Sequence, residues 1–293
     1  MTANRTSATT THAVLSQDGA TISYLTLASV TGDGASALVI PGALSMAADY
    51  IAFASALAER FIVHIIERRG RGLSSPQGDD YSMRKECEDA LALQRATGAS
   101  LLVGHSYGGL VALEVARNNQ ALTNIAVYEP GVSIDGSIAM GWMPGYQKKL
   151  AERKYLDAFV EFSLAVGPDR ARNTPPWLMK LLLPLFLRAH ERNVILSLLP
   201  ENLREHQEVA RLDSSYERYR DIPAGVLLMY GGKSQSAWVD TSMERLAAVL
   251  PRYQTQVFPK LDHFGIDKRA PQEVARRVTS YFLQEQANRA LSS

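Results

Sequence analysis

The chain has 293 residues, 46% of them apolar and 21% charged, with a formal net charge of +1. These are ordinary globular proportions, enough for a large core, and the near-zero charge gives no reason to expect nucleic acid or an anionic membrane as partner. The one cysteine, Cys87, excludes an intrachain disulfide framework and suits a reducing, cytoplasmic compartment.

Residues 1–11, MTANRTSATTT, are polar and lack an apolar h-region, so they read as a disordered leader rather than a signal peptide. No later window is apolar for long enough to span a bilayer, which argues against stable membrane insertion. Strands and helices then alternate. TISYLTLA (21–28) reads as a strand, and so does ALVIPG (37–42). A helical pattern over 47–59 leads to the strand FIVHIIE (61–67), and a second over 83–97 leads to SLLVGH (100–105). Helix 107–118 follows at once, then the strand NIAVYEP (124–130). After a long interval come the strand GVLLMYGG (225–232), helix 241–250, the strand YQTQVFP (253–259) and a closing helix over 271–286. Several strands are nearly all apolar, as expected where helices cover both faces of a parallel sheet. The fold class is therefore α/β, a mostly parallel, twisted sheet flanked by helices.

Between 136 and 220 the strand signals vanish and the sequence turns helical. An insertion of this kind between two strands of one sheet reads as a helical cap over the strand ends. The expected organisation is a core of 12–135 and 221–293 with the cap at 136–220. No repeat or linker separates them, so they form one folding unit.

The sharpest chemical signal is LLVGHSYGGL, residues 101–110, where an apolar strand stops at Gly104 and a helical pattern begins at Tyr107. In open α/β sheets ligands sit beyond the carboxyl ends of the strands, so a serine at this corner stands where a substrate arrives. Gly104-His105-Ser106-Tyr107-Gly108 fits G-x-S-x-G, the nucleophile elbow. The helix that starts at Tyr107 would turn its N–H groups and positive dipole end toward the reacting centre.

With this elbow, three further stretches resemble the α/β-hydrolase family, in the family's order and across nearly the whole chain. IPGAL (40–44) resembles the oxyanion loop, with Pro41 where the family usually has histidine. ERRGRGLS (67–74) resembles the D-x-R-G-x-G-x-S turn, with glutamate for aspartate. LDHFGI (261–266) resembles the late histidine loop. The resemblance implies an oxyanion hole built from the Tyr107 N–H and the Ala43 N–H, with Leu44 as the fallback donor. No metal and no cofactor are expected.

A serine needs a base. Of six histidines, His263 alone follows the last strand at the sheet edge that carries the elbow. His12 comes too early, His64 lies within a strand, His105 sits on the turn itself, and His190 and His206 belong to the cap. The acid is less direct. Where the family usually has G-x-x-D after the strand GVLLMYGG, this chain reads Gly231-Gly232-Lys233-Ser234. Glu129, closing the preceding strand, is the preferred acid, because a carboxylate ending an apolar strand needs a partner that an imidazole N–H supplies. Asp240, which can also be read as a helix N-cap, and Asp262 stay open, as does a site with no acid.

The cap stretch PPWLMKLLLPLFL is apolar on nearly every side. Part of it packs on the core, and Trp177, Leu181 and Phe186, with Leu44, are expected to line an apolar pocket. Together these readings predict a serine hydrolase that cleaves a carboxylic ester or lactone of a hydrophobic small molecule. The alternatives are a C–C bond hydrolase or acyltransferase with the same triad, and a non-catalytic small-molecule receptor. The oligomeric state is not legible.

Overall fold

The computed structural model of the protein describes residues 9–31, 34–167 and 173–291. Eight strands are β1 (Thr9–Leu15), β2 (Thr21–Leu27), β3 (Ser36–Ile40), β4 (Ile62–Ile66), β5 (Leu101–His105), β6 (Asn124–Tyr128), β7 (Gly225–Gly231) and β8 (Tyr253–Phe258). They join one sheet in the order 1-2-4-3-5-6-7-8. β1 and β4 each pair antiparallel with β2, and every other pairing is parallel.

The two-residue period of the strands sorts their side chains onto two faces. In β3, Leu38 and Ile40 enter one apolar cluster, while Ala37 and Val39 enter the other. In β5, Leu102 faces opposite to Leu101 and Val103. The first face is covered by α2 (Met83–Thr97), α3 (Tyr107–Ala116) and α9 (Ala237–Val249); the second by α1 (Ile51–Leu57) and α10 (Pro271–Ala290). Each fully buried aliphatic side chain contributes about 1.5–3 kcal/mol to this packing.

Between β6 and β7 lie α4 (Met143–Ala151), α5 (Tyr155–Val166), α6 (Pro176–Phe186), α7 (Ala189–Ser197) and α8 (Leu199–Arg211). They share a third cluster around Trp142, Tyr146, Leu199 and Leu203, and Leu44 from the loop after β3 packs against it. Among the described residues no helix is long and apolar enough to cross a membrane.

Two sequence expectations need correction. The expected leader overlaps β1, which begins at Thr9 and pairs in register with β2 from Thr9 opposite Leu27 to Leu15 opposite Thr21. Residues 1–8 lie outside the described residues. Nearly every β1 side chain is exposed, so this edge strand has no apolar alternation, and pairing with β2 alone defines it. Helix α9 starts at Ala237, not at 241. Its N-cap is Ser236, so the N-cap reading of Asp240 does not hold.

Candidate active site

All the candidate groups ride on segments that leave the carboxyl ends of parallel strands: 42–45 after β3, Ser106 after β5, Glu129 after β6, Ser234 after β7 and His263 after β8. Ser106 has φ 53° and ψ −121°, a conformation that costs a non-glycine residue on the order of 1–3 kcal/mol. The corner closes because its glycines allow contact that a side chain would block. A Cβ on Gly104 would lie 2.7 Å from the Ala112 Cβ, and one on Gly108 would strike the Ile40 and Pro41 carbonyls. The second contact brings the start of α3 against the end of β3. Gly42 sits so close that its Cβ would lie 3.2 Å from that of Ser106.

His263 Nδ1–H donates to Glu129 Oε2 at 2.7 Å. The other carboxylate oxygen, Oε1, accepts the Gly231 N–H at 2.8 Å and the Ser234 hydroxyl at 2.5 Å. Glu129 is fully buried and takes φ 42°, turning back from the end of its strand. The serine standing where the family has its usual acid therefore hydrogen-bonds the carboxylate that comes from the neighbouring strand. Gly231 lets the loops meet, since a Cβ there would lie 2.5 Å from the Leu261 carbonyl. Burial alone would lower the His263 pKa, but the hydrogen bond and charge of Glu129, helped by Asp267 and Asp262, raise it above the ordinary value.

Tyr107 is the first residue of α3, so its N–H has no intrahelical acceptor. Across from it, the Gly42 N–H donates to the Tyr50 hydroxyl at 3.0 Å, while the N–H groups of Ala43, Leu44 and Ser45 remain without a partner among the described residues. Leu44 takes φ 55°. The loop is held from below by the 67–74 turn. Arg68 donates to the Gly42 carbonyl, Arg71 to the Ser45 carbonyl, and Glu67 accepts the Ala47 N–H. Arg68 also stacks over the Tyr107 ring and is paired with Glu86 and, from α8, Glu205. Arg69 instead braces Asp18 and Asp89. The inward reach of Arg68 is not legible in the sequence, because the spacing of a tight turn does not show which of its guanidinium groups points inward.

Other expected residues fall elsewhere. Asp240 is exposed in the first turn of α9. The Asp262 carboxylate accepts the Phe264 N–H and pairs with Arg269. Trp177 and Leu181 are 66% and 67% exposed; they form the outer stripe of α6, while Leu183 on the inner side is buried in the cap cluster. The structure does not bring those two side chains to Ser106, and the Phe186 side chain lies outside what is described. A helix apolar all round gives no periodicity from which to choose its buried stripe. His64 is buried against Thr26, and His206 packs with Trp142 and Phe162.

A sequence profile of the Alpha/beta hydrolase family matches residues 37–277. No curated protein gives a significant match. Among solved structures, an alpha/beta hydrolase from Sphaerobacter thermophilus is 26% identical with a TM-score of 0.77, covering 92% of this chain and 100% of its own. An esterase from a Rhodococcus species is 19% identical with a TM-score of 0.66 over 92% of this chain and 98% of its own. A meta-cleavage product hydrolase from Pseudomonas fluorescens is 18% identical with a TM-score of 0.63 over 93% and 97%. At those last two identities the likeness is one of fold.

Proposed function

The chain belongs to the α/β-hydrolase family, and from that premise we propose that it is a serine hydrolase cleaving a carboxylic ester or lactone of a hydrophobic small molecule. One observation carries the reading: a serine held in a strained strand–helix corner and, at the same edge of the sheet, a histidine whose Nδ1 is committed to a buried carboxylate at 2.7 Å. That commitment leaves Nε2 as the ring nitrogen able to accept a proton.

Ser106 Oγ attacks the carbonyl carbon while His263 Nε2 takes its proton, and Glu129 stabilises the resulting imidazolium. The carbonyl oxygen becomes an oxyanion between the N–H groups of Tyr107 and Ala43. Collapse of this intermediate expels the alcohol, which receives the proton from His263, and leaves an acyl ester on Ser106. Water, deprotonated by the same imidazole, then attacks the acyl carbon, and the acid departs as Ser106 regains its proton. Leu44, packed on the cap's apolar cluster, supports a hydrophobic acyl or alcohol group.

The test is pre-steady-state hydrolysis of p-nitrophenyl butyrate. A burst of nitrophenolate matching the enzyme concentration, followed by slower turnover, is expected. No release at all would overturn the reading and favour a receptor; selective cleavage of a β-diketone would favour C–C hydrolysis.

A pH profile follows from the His263 environment. Only the neutral imidazole accepts the serine proton, so kcat/KM should rise with pH. Because Glu129 raises the His263 pKa, the midpoint should lie above the ordinary histidine value of 6.5. A profile flat from about pH 5 to pH 9, with chemistry rate-limiting, would contradict the assignment of the base.

A further inference from the structure

The residues that precede Ser106 and Glu129 both reach for the loop that carries His263. Tyr128 donates its hydroxyl to the Asp262 carbonyl at 2.8 Å; Gly265 makes room, because a Cβ there would overlap that hydroxyl. His105 Nε2 reaches the next carbonyl, that of His263, at 2.8 Å. A carbonyl only accepts, so Nε2 carries the proton. Burial, with the neighbouring His263 ring, keeps the His105 ring neutral, so Nδ1 is an acceptor and the Tyr50 hydroxyl donates to it, at 2.5 Å. The same phenol oxygen accepts the Gly42 N–H. One directed chain thus runs from the oxyanion loop through Tyr50 and His105 to the backbone of His263. Its two side chains are 0% and 3% exposed.

We propose that His105, its tautomer fixed by Tyr50, is a positioning residue that registers the backbone of His263 against the strand end bearing Ser106 and against the loop bearing Ala43. The proposal rests on the serine-hydrolase reading of the same site. Both ring nitrogens of His105 are engaged and the ring is closed to solvent, so it has no capacity to act as a second base. What it can do is fix the backbone carbonyl of the very residue whose imidazole orientation decides proton transfer. The His105 and His263 rings lie 4.8 Å apart. Around His263 the titratable groups are Glu129 from the end of β6, Asp262 and Asp267 from its own segment, and His105 from β5; α9 contributes the uncharged Trp238 ring.

The test compares His105→Leu, which has no donor, with His105→Gln, which can present an N–H at similar reach. Misplacement of a reacting group by about an ångström costs up to roughly 10²-fold, so kcat in His105→Leu should fall by about 10–100-fold while KM changes far less. The substrate-free titration of His263, read by NMR on protein carrying ¹⁵N-histidine, should move to lower pH as its bond to Glu129 loosens. His105→Gln should restore most of both. A folded His105→Leu with wild-type kcat and an unchanged His263 titration would overturn the proposal, as would a Gln variant no better than Leu. If His105→Leu does not fold, Tyr50→Phe replaces it: a lower His263 titration supports the proposal and an unchanged one overturns it. The NMR arm needs no substrate, so a wild-type protein without hydrolytic activity would sink the serine-hydrolase reading while leaving the positioning claim decided by the titration.

Discussion

Ser106→Ala is expected to lower kcat for p-nitrophenyl esters by about 10⁴–10⁶ and to abolish labelling by organophosphonates, with no fall in melting temperature. The loss is large because, in the proposed mechanism, the hydroxyl is the group that becomes acylated. The stability is spared because the Ser106 side chain makes no cap hydrogen bond at the start of α3. The strain lies in the backbone and is maintained by the contacts of Gly104 and Gly108 with neighbouring segments. A variant retaining more than about a tenth of wild-type activity would remove Ser106 from the mechanism.

Glu129→Gln should cost about 10²–10⁴ in kcat. A glutamine can still accept from Gly231 and Ser234 through its amide oxygen, so the fold around it persists. Its NH₂, however, faces His263 Nδ1 and donates to it. That forces the imidazole proton onto Nε2, the nitrogen that accepts from Ser106 in the proposed mechanism. The expected signature is an enzyme with a nearly unchanged melting temperature and a large loss of rate. Asp240→Ala is the matching control. Asp240 is exposed in the first turn of α9, where a carboxylate contributes about 0.3–1 kcal/mol through the helix dipole, so its rate should equal wild type. If Asp240→Ala were the inactive variant, the acid would have to be Asp240 rather than Glu129.

The contrast between those two carboxylates shows where the sequence was readable and where it was not. The corner at Ser106 is legible because its determinants are local: an apolar strand, two glycines and a helical pattern within ten residues. The late histidine is legible from chain order, since only His263 follows the last strand. Glu129 is only half legible. Its choice over Asp240 depends on Gly231 and Ser234 donating to its Oε1 across more than a hundred residues of sequence, and no spacing rule encodes that. The start of α9 was lost because Ser236 and Ala237 carry no periodic apolar signal, and this misplaced Asp240 at a helix cap. β1 was lost because both of its faces meet solvent. On α6 the apolar pattern was real but had no preferred side, so Trp177 and Leu181 could not be separated from Leu183 before the packing was known. Arg68 shows the same limit: its contacts with Gly42, Tyr107 and Glu205 join three distant segments.

In the proposed mechanism the fold acts by convergence. Five segments leave adjacent parallel strands at one edge, and each delivers one element: donors from 42–45, the hydroxyl from Ser106, the carboxylate from Glu129, its clamp from Ser234 and the imidazole from His263. The most direct measurement of this account is a crystal structure of the protein inactivated by a p-nitrophenyl alkylphosphonate. It should show phosphorus bonded to Ser106 Oγ, the phosphoryl oxygen within hydrogen-bond reach of the Ala43 and Tyr107 N–H groups, and His263 still bound to Glu129. Phosphorus on any other residue, or a phosphoryl oxygen turned away from both N–H groups, would contradict it.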